Sequence, residues 1–403
     1  MARADADPAI SLTKRPMTKE MTMSNVGRNG ALGALVCAAA LSILGAAPTR
    51  AQNVLEGLHR HPTLTSTITD NGDLNPYAVV VAPVASGKIQ KGDVLVDNFN
   101  NSSNLQGTGG TIIDFNPSTR STTLFAKLPQ NLPQCPGGIG LTTAMAVLSS
   151  GWVIVGSTPS TDGTTATKGN GCLLVFDANG RLATVWSGSH INGPWGNMAV
   201  IDNGAKATLF VSMSGYDVPE PSRLDPATGA PVVVKKATVL RIQLTIPAGG
   251  PPKVTSQTVI ASGLAQRADK DVFLIGPTGL ALIGDTLYVS DAIENRIVAI
   301  AEAPTRTGSA GTGRTVTKDG LLQRPLALAV TANGHILACN GKNGEVVEFD
   351  PATGRQLSAQ WVDSNQAQSP PGNGDLFGLA MAPDGVGFYY VEDDVNMLAK
   401  ATP

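Results

Sequence analysis

The sequence predicts an all-β fold, a six-bladed β-propeller, and three observations favour it. The composition combines 45 Gly and 27 Pro with only 15% charged residues, which indicates many turns and disfavours charge-rich helical bundles. A short motif of a small or polar residue, Leu or Met, Ala and an apolar residue recurs along the chain. Its copies lie 48 to 82 residues apart, and three of the five spacings, 53, 48 and 51, are close to the length of a four-stranded propeller blade. No amphipathic segment of helical length interrupts this pattern.

The recurring motif marks the innermost strand of each predicted blade, where neighbouring blades crowd around the axis and favour small side chains. Its copies are residues 78–81 (the weakest), 144–147, 197–200, 279–282, 327–330 and 378–381. Each copy is followed by two more apolar strands, as in LYVSD (287–291) and RIVAI (296–300). The last copy lacks an outer strand. We therefore expect residues 63–69 to pair with residues 396–401 and close the ring, which would hide exposed strand edges.

The chain begins with a segment typical of export. Residues 31–47 form a long uncharged apolar run, preceded by Arg28 and followed by small residues, and this order predicts a secretory signal peptide. The alternative is a membrane anchor, for which the run is near the lower length limit. With cleavage after Ala51, residues 1–51 form the extension and signal, and residues 52–403 form one propeller domain. The mature protein is expected to be secreted or periplasmic, monomeric and free of the membrane.

Three cysteines remain in the predicted mature chain: Cys135, Cys172 and Cys339. Disulfides form and persist in exported proteins. Cys135 and Cys172 are close in sequence, so we expect them to be bonded, with Cys339 left over. Such a bond would tie the loop that leads into blade two to the third strand of that blade.

Three segments resemble a known family. Residues 277–300, PTGLALIGDTLYVSDAIENRIVAI, closely resemble one NHL repeat, and residues 324–354 resemble a second. Residues 376–394, LFGLAMAPDGVGFYYVEDD, are similar to the related gluconolactonase and senescence-marker propellers. The resemblance implies a six-bladed propeller. In the NHL repeat, Asp291 with Asn295 and Arg296 resembles the structural turn.

The gluconolactonase resemblance also implies a divalent metal over the central channel. Those enzymes hold the metal with Glu, Asn and Asp side chains near the starts of inner strands. The matching positions of this chain are Tyr77, Thr143, Gly196, Thr278, Leu326 and Phe377. None of them is a carboxylate, although Asn197 and Asn75 place amides near that level.

Ligand sites are expected on one face of the ring, here called the top face. It carries the loops between second and third strands and the loops from an outer strand to the next inner strand. Candidate pocket residues on these loops are Tyr77, Asn98, His190, Trp195, Asn197, Tyr216, Asp291, Asn340 and Asp393. A long insertion at residues 214–237 overhangs the same face and is either functional or a Pro-rich flap.

Part of this set offers oxygen ligands suited to a hard cation such as calcium. The candidate metal ligands are Asn98, Asn197, Asp291, Asn340 and Asp393. The alternative is that these side chains cap the turns that follow their strands.

Two classes of function remain open. The sequence contains neither the zinc motif HExxH nor a G-x-S-x-G nucleophile turn, and a net charge of −2 provides no general basic surface for nucleic acid. The first class is a non-catalytic recognition or scaffold protein that binds a small molecule or a protein partner on the top face. The second is a divalent-metal-dependent hydrolase or lactonase.

Overall fold

Twenty-five β-strands build the ring in the computed structural model, which describes residues 53–220, 223–363 and 365–403. The predicted signal segment, residues 1–51, lies outside the described residues. Blade one contains β2 (Leu74–Val81), β3 (Val94–Asn100), β4 (Thr111–Asn116) and β5 (Ser121–Lys127). Blade two contains β6 (Leu141–Val147), β7 (Val153–Ser157), β8 (Cys172–Phe176) and β9 (Leu182–Trp186).

The second half of the ring follows the same up-and-down order. Blade four contains β15 (Pro277–Ile283), β16 (Thr286–Asp291), β17 (Arg296–Ile300) and β18 (Arg314–Lys318). Blade five contains β19 (Pro325–Val330), β20 (Ile336–Asn340), β21 (Glu345–Phe349) and β22 (Gln356–Trp361). Blade six contains β23 (Leu376–Met381), β24 (Phe388–Glu392) and β25 (Met397–Ala401), together with the N-terminal strand β1 (Thr63–Ser66). The predicted six-bladed propeller is confirmed.

The N-terminal strand closes the ring. β1 pairs antiparallel with β25, and Thr63 lies opposite Ala399 while Ser66 lies opposite Met397. The prediction that this segment supplies the outer strand of blade six is therefore confirmed. Just before it, a 3₁₀ turn (Leu55–Gly57) docks on blade five, where the Leu55 backbone N–H donates to Glu348 Oε2 at 3.0 Å.

Blade three departs from the four-stranded pattern. It contains β10 (Ala199–Asp202), β11 (Lys206–Met213), β12 (Val234–Thr245), β13 (Lys253–Asp269) and a fifth short strand, β14 (Phe273–Ile275). β12 begins inside the segment that the sequence predicts as an insertion, so the connection between β11 and β12 is shorter than expected. β13 is long enough to leave the blade and pair with β14, with Arg267 opposite Ile275 and Asp269 opposite Phe273.

The core lies between neighbouring blades. All residues of β7 and β8 are buried, whereas the outer strand β5 exposes most of its residues. Middle strands covered on both faces explain the continuous apolar runs in the sequence. Leu95 and Ile112 of blade one belong to the same cluster as Val155 and Leu174 of blade two.

The cysteines are placed as predicted. Cys135 and Cys172 form a disulfide, and Cys339 is a free, fully buried thiol in β20. Burial raises the pKa of Cys339 to about 12, so this thiol is not a nucleophile at neutral pH. Within the described ranges, no helix has the length and apolarity needed to cross a bilayer.

Candidate functional site

Aromatic side chains fill the upper end of the central channel. We call them the aromatic plug: Tyr77, Phe99, Trp195, Phe273 and Phe377, each at most 2% exposed. Tyr77 stacks on Phe377 and Phe99 at ring-centroid distances of 4.0 and 4.4 Å. Tyr77 and Phe377 come from inner strands of blades one and six, and Trp195 precedes the inner strand of blade three. Residues near the upper ends of inner strands in separated blades meet at the axis, so the plug closes the channel.

The β13–β14 hairpin brings Phe273 to the plug. Asp269 Oδ1 accepts hydrogen bonds from the backbone N–H groups of Asp271 and Val272, which closes the turn. Gln106, from a loop of blade one, donates to the carbonyl oxygens of Lys270 and Asp271 at 3.2 and 3.0 Å. The hairpin therefore extends from blade three across the top face to blade one.

Phe273 occupies an unusual backbone conformation. Its φ is +63°, in the left-handed region that costs a bulky non-Gly residue about 1–2 kcal/mol. The ring is nevertheless almost completely buried and packs on Trp195, with 6.1 Å between the ring centroids. Burying a Phe side chain contributes about 1.5–3 kcal/mol, enough to offset the strain. Packing in the plug thus fixes the hairpin conformation.

The axial metal site implied by the gluconolactonase resemblance does not fit these residues. Tyr77, Leu326 and Phe377 occupy three of the matching positions, and all three belong to the buried apolar cluster around the plug. At a fourth position, a Cβ added to Gly196 would lie 1.3 Å from the Thr278 carbonyl oxygen, so no larger side chain fits there. These positions offer neither the carboxylates nor the open space that a hydrated cation needs.

Two predicted ligands, Asn98 and Asn340, hold neighbouring loops. Asn98 Nδ2 donates to Thr67 O at 2.8 Å and to Thr111 Oγ1 at 3.2 Å. Asn340 Oδ1 accepts from the Gln323 backbone N–H at 2.8 Å, and its Nδ2 donates to Leu321 O at 3.0 Å. Both side chains are fully buried. These contacts fit the alternative in which strand-end amides fix the adjacent turns.

Asn197 joins the inner strands of three blades. Its Oδ1 accepts from the backbone N–H groups of Leu280 and Leu328 at 3.3 and 3.1 Å. Its Nδ2 donates to the carbonyl oxygens of the same two residues at 2.9 and 3.3 Å. Both polar atoms of this amide are engaged with backbone groups of blades four and five.

Asp291 and Asp393 have different surroundings. Arg296 Nε and Nη2 each lie 2.9 Å from Asp291 Oδ2, which matches the structural turn implied by the NHL resemblance. Burial raises the pKa of Asp291, and the hydrogen bond from Arg296 opposes that rise. Asp393 Oδ2 accepts from Asn75 Nδ2 at 3.2 Å, and burial raises its pKa. Asp393 lies beside three other carboxyl groups, those of Asp375, Asp394 and Asp363.

The remaining predicted pocket residues separate into two regions. Tyr77 and Trp195 are buried in the plug, whereas His190 and Tyr216 line an open depression of about 390 Å³ beside the β11–β12 connection. Tyr216 Oη donates to Ser189 O at 3.0 Å. The nine residues predicted to form one pocket are therefore distributed over the axis, several turns and this outer depression, and their role in ligand binding stays a prediction.

A larger pocket lies beside the β13–β14 hairpin. We call it the hairpin pocket; it has a volume of about 620 Å³ and is lined by Thr164, Ala166, Glu220, Pro231, Arg267, Ala268, Asp269, Lys270 and Asp271. Its walls come from top-face loops of blades two and three. Arg267 Nη1 lies 2.8 Å from Asp269 Oδ2, and both side chains are mostly buried. The sequence pattern does not predict this pocket, because the short strand β14 falls outside the repeat.

A second feature missed from the sequence is an acidic pocket between blades five and six. We use this name for Asp363, Asp375 and Asp394, whose carboxylate oxygens lie within 4.8 Å of one another. Asp363 follows β22, Asp375 precedes β23, and Asp394 lies in the turn between β24 and β25. Burial and the neighbouring Asp393 raise the pKa of Asp375. Asp375 and Asp394 are brought together by the pairing of β23 with β24, and Asp363 joins them from the β22–β23 connection.

Comparisons with known proteins identify the fold. No protein-family model matches the chain, and no curated protein sequence matches it. The structure is similar to a gluconolactonase from Xanthomonas campestris, with a TM-score of 0.52, 14% sequence identity, and coverage of 86% of this chain and 91% of the other. It is also similar to a Thermus thermophilus protein assigned as an oxidoreductase (glucose dehydrogenase), with a TM-score of 0.50, 15% identity, and coverage of 85% and 99%. At these identities the comparisons establish the architecture alone. The chain is a six-bladed β-propeller with the fold of the gluconolactonase-like proteins.

Proposed function

We propose that this protein is an exported, non-catalytic binding protein whose ligand or protein partner occupies the hairpin pocket on the top face. The observation that carries the proposal is the aromatic plug, which occupies the axis where gluconolactonase-like enzymes are expected to hold their metal. The same hairpin that completes the plug forms one wall of the hairpin pocket. Closing the axis and opening a site beside it are thus two consequences of one inserted element.

The lining of the hairpin pocket supports recognition of a ligand with an apolar body and a polar end. Ala166, Pro231 and Ala268 provide apolar surface, whereas Glu220 and Lys270 provide charge. A volume of about 620 Å³ lies within the range of small-molecule sites, roughly 300–1,000 Å³. The Arg267–Asp269 pair neutralises two of the lining charges internally and keeps the hairpin in place.

The disulfide supports the proposed export. Cys135 and Cys172 are bonded in the structure, and structural disulfides persist in secreted and periplasmic proteins but are rare in reducing compartments. Non-reducing mass spectrometry of the protein from its native host would test this. An intact disulfide and an N-terminus at residue 52 are expected, whereas two free thiols in an uncleaved chain would contradict export.

A probe experiment tests the pocket. We expect the fluorescent apolar anion 1-anilinonaphthalene-8-sulfonate to bind the folded protein saturably, and Ala166→Trp to reduce this binding by filling the pocket. Ala166 is exposed, so the substitution leaves the core intact. Ala352→Trp, at an exposed turn on the opposite face, is the matched control and should bind the probe like the wild type. Equal binding by both variants would exclude the hairpin pocket as the binding site.

A divalent-metal-dependent lactonase is the second candidate, favoured by the fold shared with the Xanthomonas gluconolactonase. Hydrolysis of glucono-δ-lactone, followed with and without Ca²⁺, Mn²⁺ or Zn²⁺, distinguishes the two functions. The binding-protein proposal predicts the spontaneous rate under every condition. Metal-dependent turnover that is lost on Asp375→Asn would overturn it and move the chemistry to the acidic pocket.

A further inference from the structure

The acidic pocket presents oxygen atoms without hydrogen-bond donors. Asp363 Oδ1 accepts from the Asn365 backbone N–H at 2.9 Å, and Asp375 Oδ1 accepts from Gln368 Nε2 at 2.6 Å. The second oxygen of each carboxylate, Oδ2, is buried and has no hydrogen-bond partner among the described residues. The two aspartates are only 6% and 3% exposed. Two carboxylate oxygens have therefore lost water without gaining a donor, which is costly unless a cation or proton replaces it.

The carboxylates of the pocket also have no ion-pair partner among the described residues. Within the described part of the chain, none of the ion pairs involves Asp363, Asp375 or Asp394. Asp393 and Glu392 add two more carboxyl groups close by. Burial and Asp393 raise the pKa of Asp375, and burial together with Asp363 and Asp394 raises the pKa of Glu392. Elsewhere in the ring, buried Asp291 has Arg296 as a partner. Unlike Asp291, the acidic pocket thus concentrates several carboxyl groups without an ion-pair partner among the described residues.

The spacing of the pocket suits a single ion. The ligand atoms of Asp363, Asp375 and Asp394 all lie within 4.8 Å of one another. Calcium binds oxygen at about 2.3–2.6 Å, so ligands on opposite sides of one ion are up to about 5 Å apart. Asp394 is exposed, which leaves a route for the ion from solvent. The buried Gln368 Oε1, which has no described hydrogen-bond partner, adds a neutral oxygen nearby.

We propose that Asp363, Asp375 and Asp394 bind one divalent cation, with calcium preferred, and that this ion joins the β22–β23 connection to the β24–β25 turn. Calcium is preferred because it accepts six to eight oxygen ligands in irregular arrangements, whereas magnesium requires near-ideal octahedral geometry. The site lies between two blades and away from the plug, so it differs from an axial catalytic metal. It is independent of the ligand proposed for the hairpin pocket.

Calorimetry with metal-free protein tests the site directly. The purified protein is dialysed against EDTA and then against chelator-free buffer, and CaCl₂ is titrated into it. One saturable site per chain is expected. Asp375→Asn should weaken binding by ~100-fold or more, since even loss of an outer-shell partner costs 10–100-fold. Asp285→Asn removes the same charge from an exposed turn of blade four and should bind like the wild type.

A second readout separates ion binding from misfolding. Tyr390 Oη donates to Val362 O at 3.1 Å, which places an aromatic side chain beside the residue preceding Asp363. Tb³⁺ bound in the pocket should therefore luminesce when the aromatic side chains are excited, and CaCl₂ should displace it. Asp363→Asn, with an unchanged circular dichroism spectrum, should lose this signal while Asp285→Asn keeps it.

The competing explanation is a proton shared between the buried carboxyl groups. In that case CaCl₂ would leave the melting temperature unchanged, terbium would give no displaceable signal, and Asp375→Asn would stabilise the metal-free protein. Either that set of results, or calcium binding that survives Asp375→Asn, overturns the proposal. Calcium binding without lactone hydrolysis would support it and leave the binding-protein function intact.

Discussion

The aromatic plug and the acidic pocket both lie on the top face, and both bury side chains where strands begin or end. In the plug, five rings pack against one another in a buried cluster. In the acidic pocket, carboxylates from separate loops face one another, and two of their oxygens have no donor. The centre of the ring is therefore stabilised mainly by packed rings, with the Asn197 hydrogen bonds beside them, whereas cross-links join the peripheral loops.

The disulfide extends this comparison to a third place. Cys135–Cys172 ties the loop before β6 to the start of β8 at the top of blade two. A covalent cross-link there and the proposed cation between blades five and six would have similar effects, because each joins separate segments of the top face. The comparison predicts a large loss of stability when an aromatic side chain of the plug is removed. Smaller losses are expected when the disulfide, the proposed cation or one hydrogen-bonding side chain is removed.

Removing a plug ring should have the largest effect. Phe377 is 2% exposed and stacks on Tyr77, so Phe377→Ala leaves a cavity among rings that cannot easily collapse. We expect the free energy of unfolding to fall by about 3–5 kcal/mol, measured by urea titration with circular dichroism. Trp361→Ala, at a residue 42% exposed, is the control and should cost much less. A loss below about 1 kcal/mol for Phe377→Ala would show that the plug is not a packed core.

Loss of the disulfide should rank second. The bonded cysteines are separated by 37 residues, and closing a loop of that length in the unfolded chain corresponds to about 3–4 kcal/mol of stabilisation. The double variant Cys135→Ala, Cys172→Ala should lose that amount and no longer respond to dithiothreitol. Cys339→Ala keeps the disulfide and should still be destabilised by the reductant. A reductant effect that persists in the double variant would contradict this assignment.

Asp93 and Asp114 form a pair of neighbouring carboxyl groups in blade one that can be compared with the acidic pocket. Asp114 is 6% exposed, and burial together with Asp93 raises its pKa from 3.8 to about 7. A raised pKa in the folded state means that the stability Asp114 contributes is complete below about pH 4 and is lost as the pH rises through 7. Asp114→Asn should remove this loss.

As the pH rises from 5 to 7, the free energy of unfolding of Asp114→Asn should increase by about 2 kcal/mol relative to that of the wild type, since each pKa unit corresponds to 1.36 kcal/mol. Urea unfolding at the two pH values measures it. Calcium should not change this stability difference between variant and wild type, because the described residues offer no third carboxylate beside Asp93 and Asp114 that is comparable to Asp394. A gain that is independent of pH, or that calcium abolishes, would remove the distinction between the two acidic sites.

The repeat made most of the fold predictable from the sequence. Strands such as β16 and β20 are short apolar runs at a regular interval, and the missing outer strand of blade six identified β1 as the closing strand. The β13–β14 hairpin was missed because β14 has only three residues and breaks the interval. Two signals for it were present: the longest separation between inner-strand motifs, from Ala199 to Ala281, and an Asp-Lys-Asp turn at residues 269–271 between apolar segments.

The candidate site was less predictable, for a physical reason. The sequence places Asp97, Asn98, Asp291 and Asn340 at strand ends, but it does not say whether each side chain faces the axis or holds its own turn. Hydrogen-bond partners decide this, and they come from residues distant in sequence. Asp363, Asp375 and Asp394 lie on two connections, and they meet through the pairing of β23 with β24 and the path of the β22–β23 connection.

Asn197 shows how a predicted metal ligand is used by the fold, and it gives the smallest of the expected effects. Its amide bonds the backbone of Leu280 and Leu328 in the two blades that follow, so Asn197→Ala leaves two N–H and two carbonyl groups without this partner. Partial access of water reduces the cost, and we expect a loss of about 1–2 kcal/mol in the free energy of unfolding. Asn179→Ala, at an exposed hairpin turn, should change stability by less than half as much. If Asn197→Ala instead leaves stability unchanged but weakens calcium binding, the amide serves a metal near the axis, and the separation between a packed centre and an ion-linked periphery is wrong.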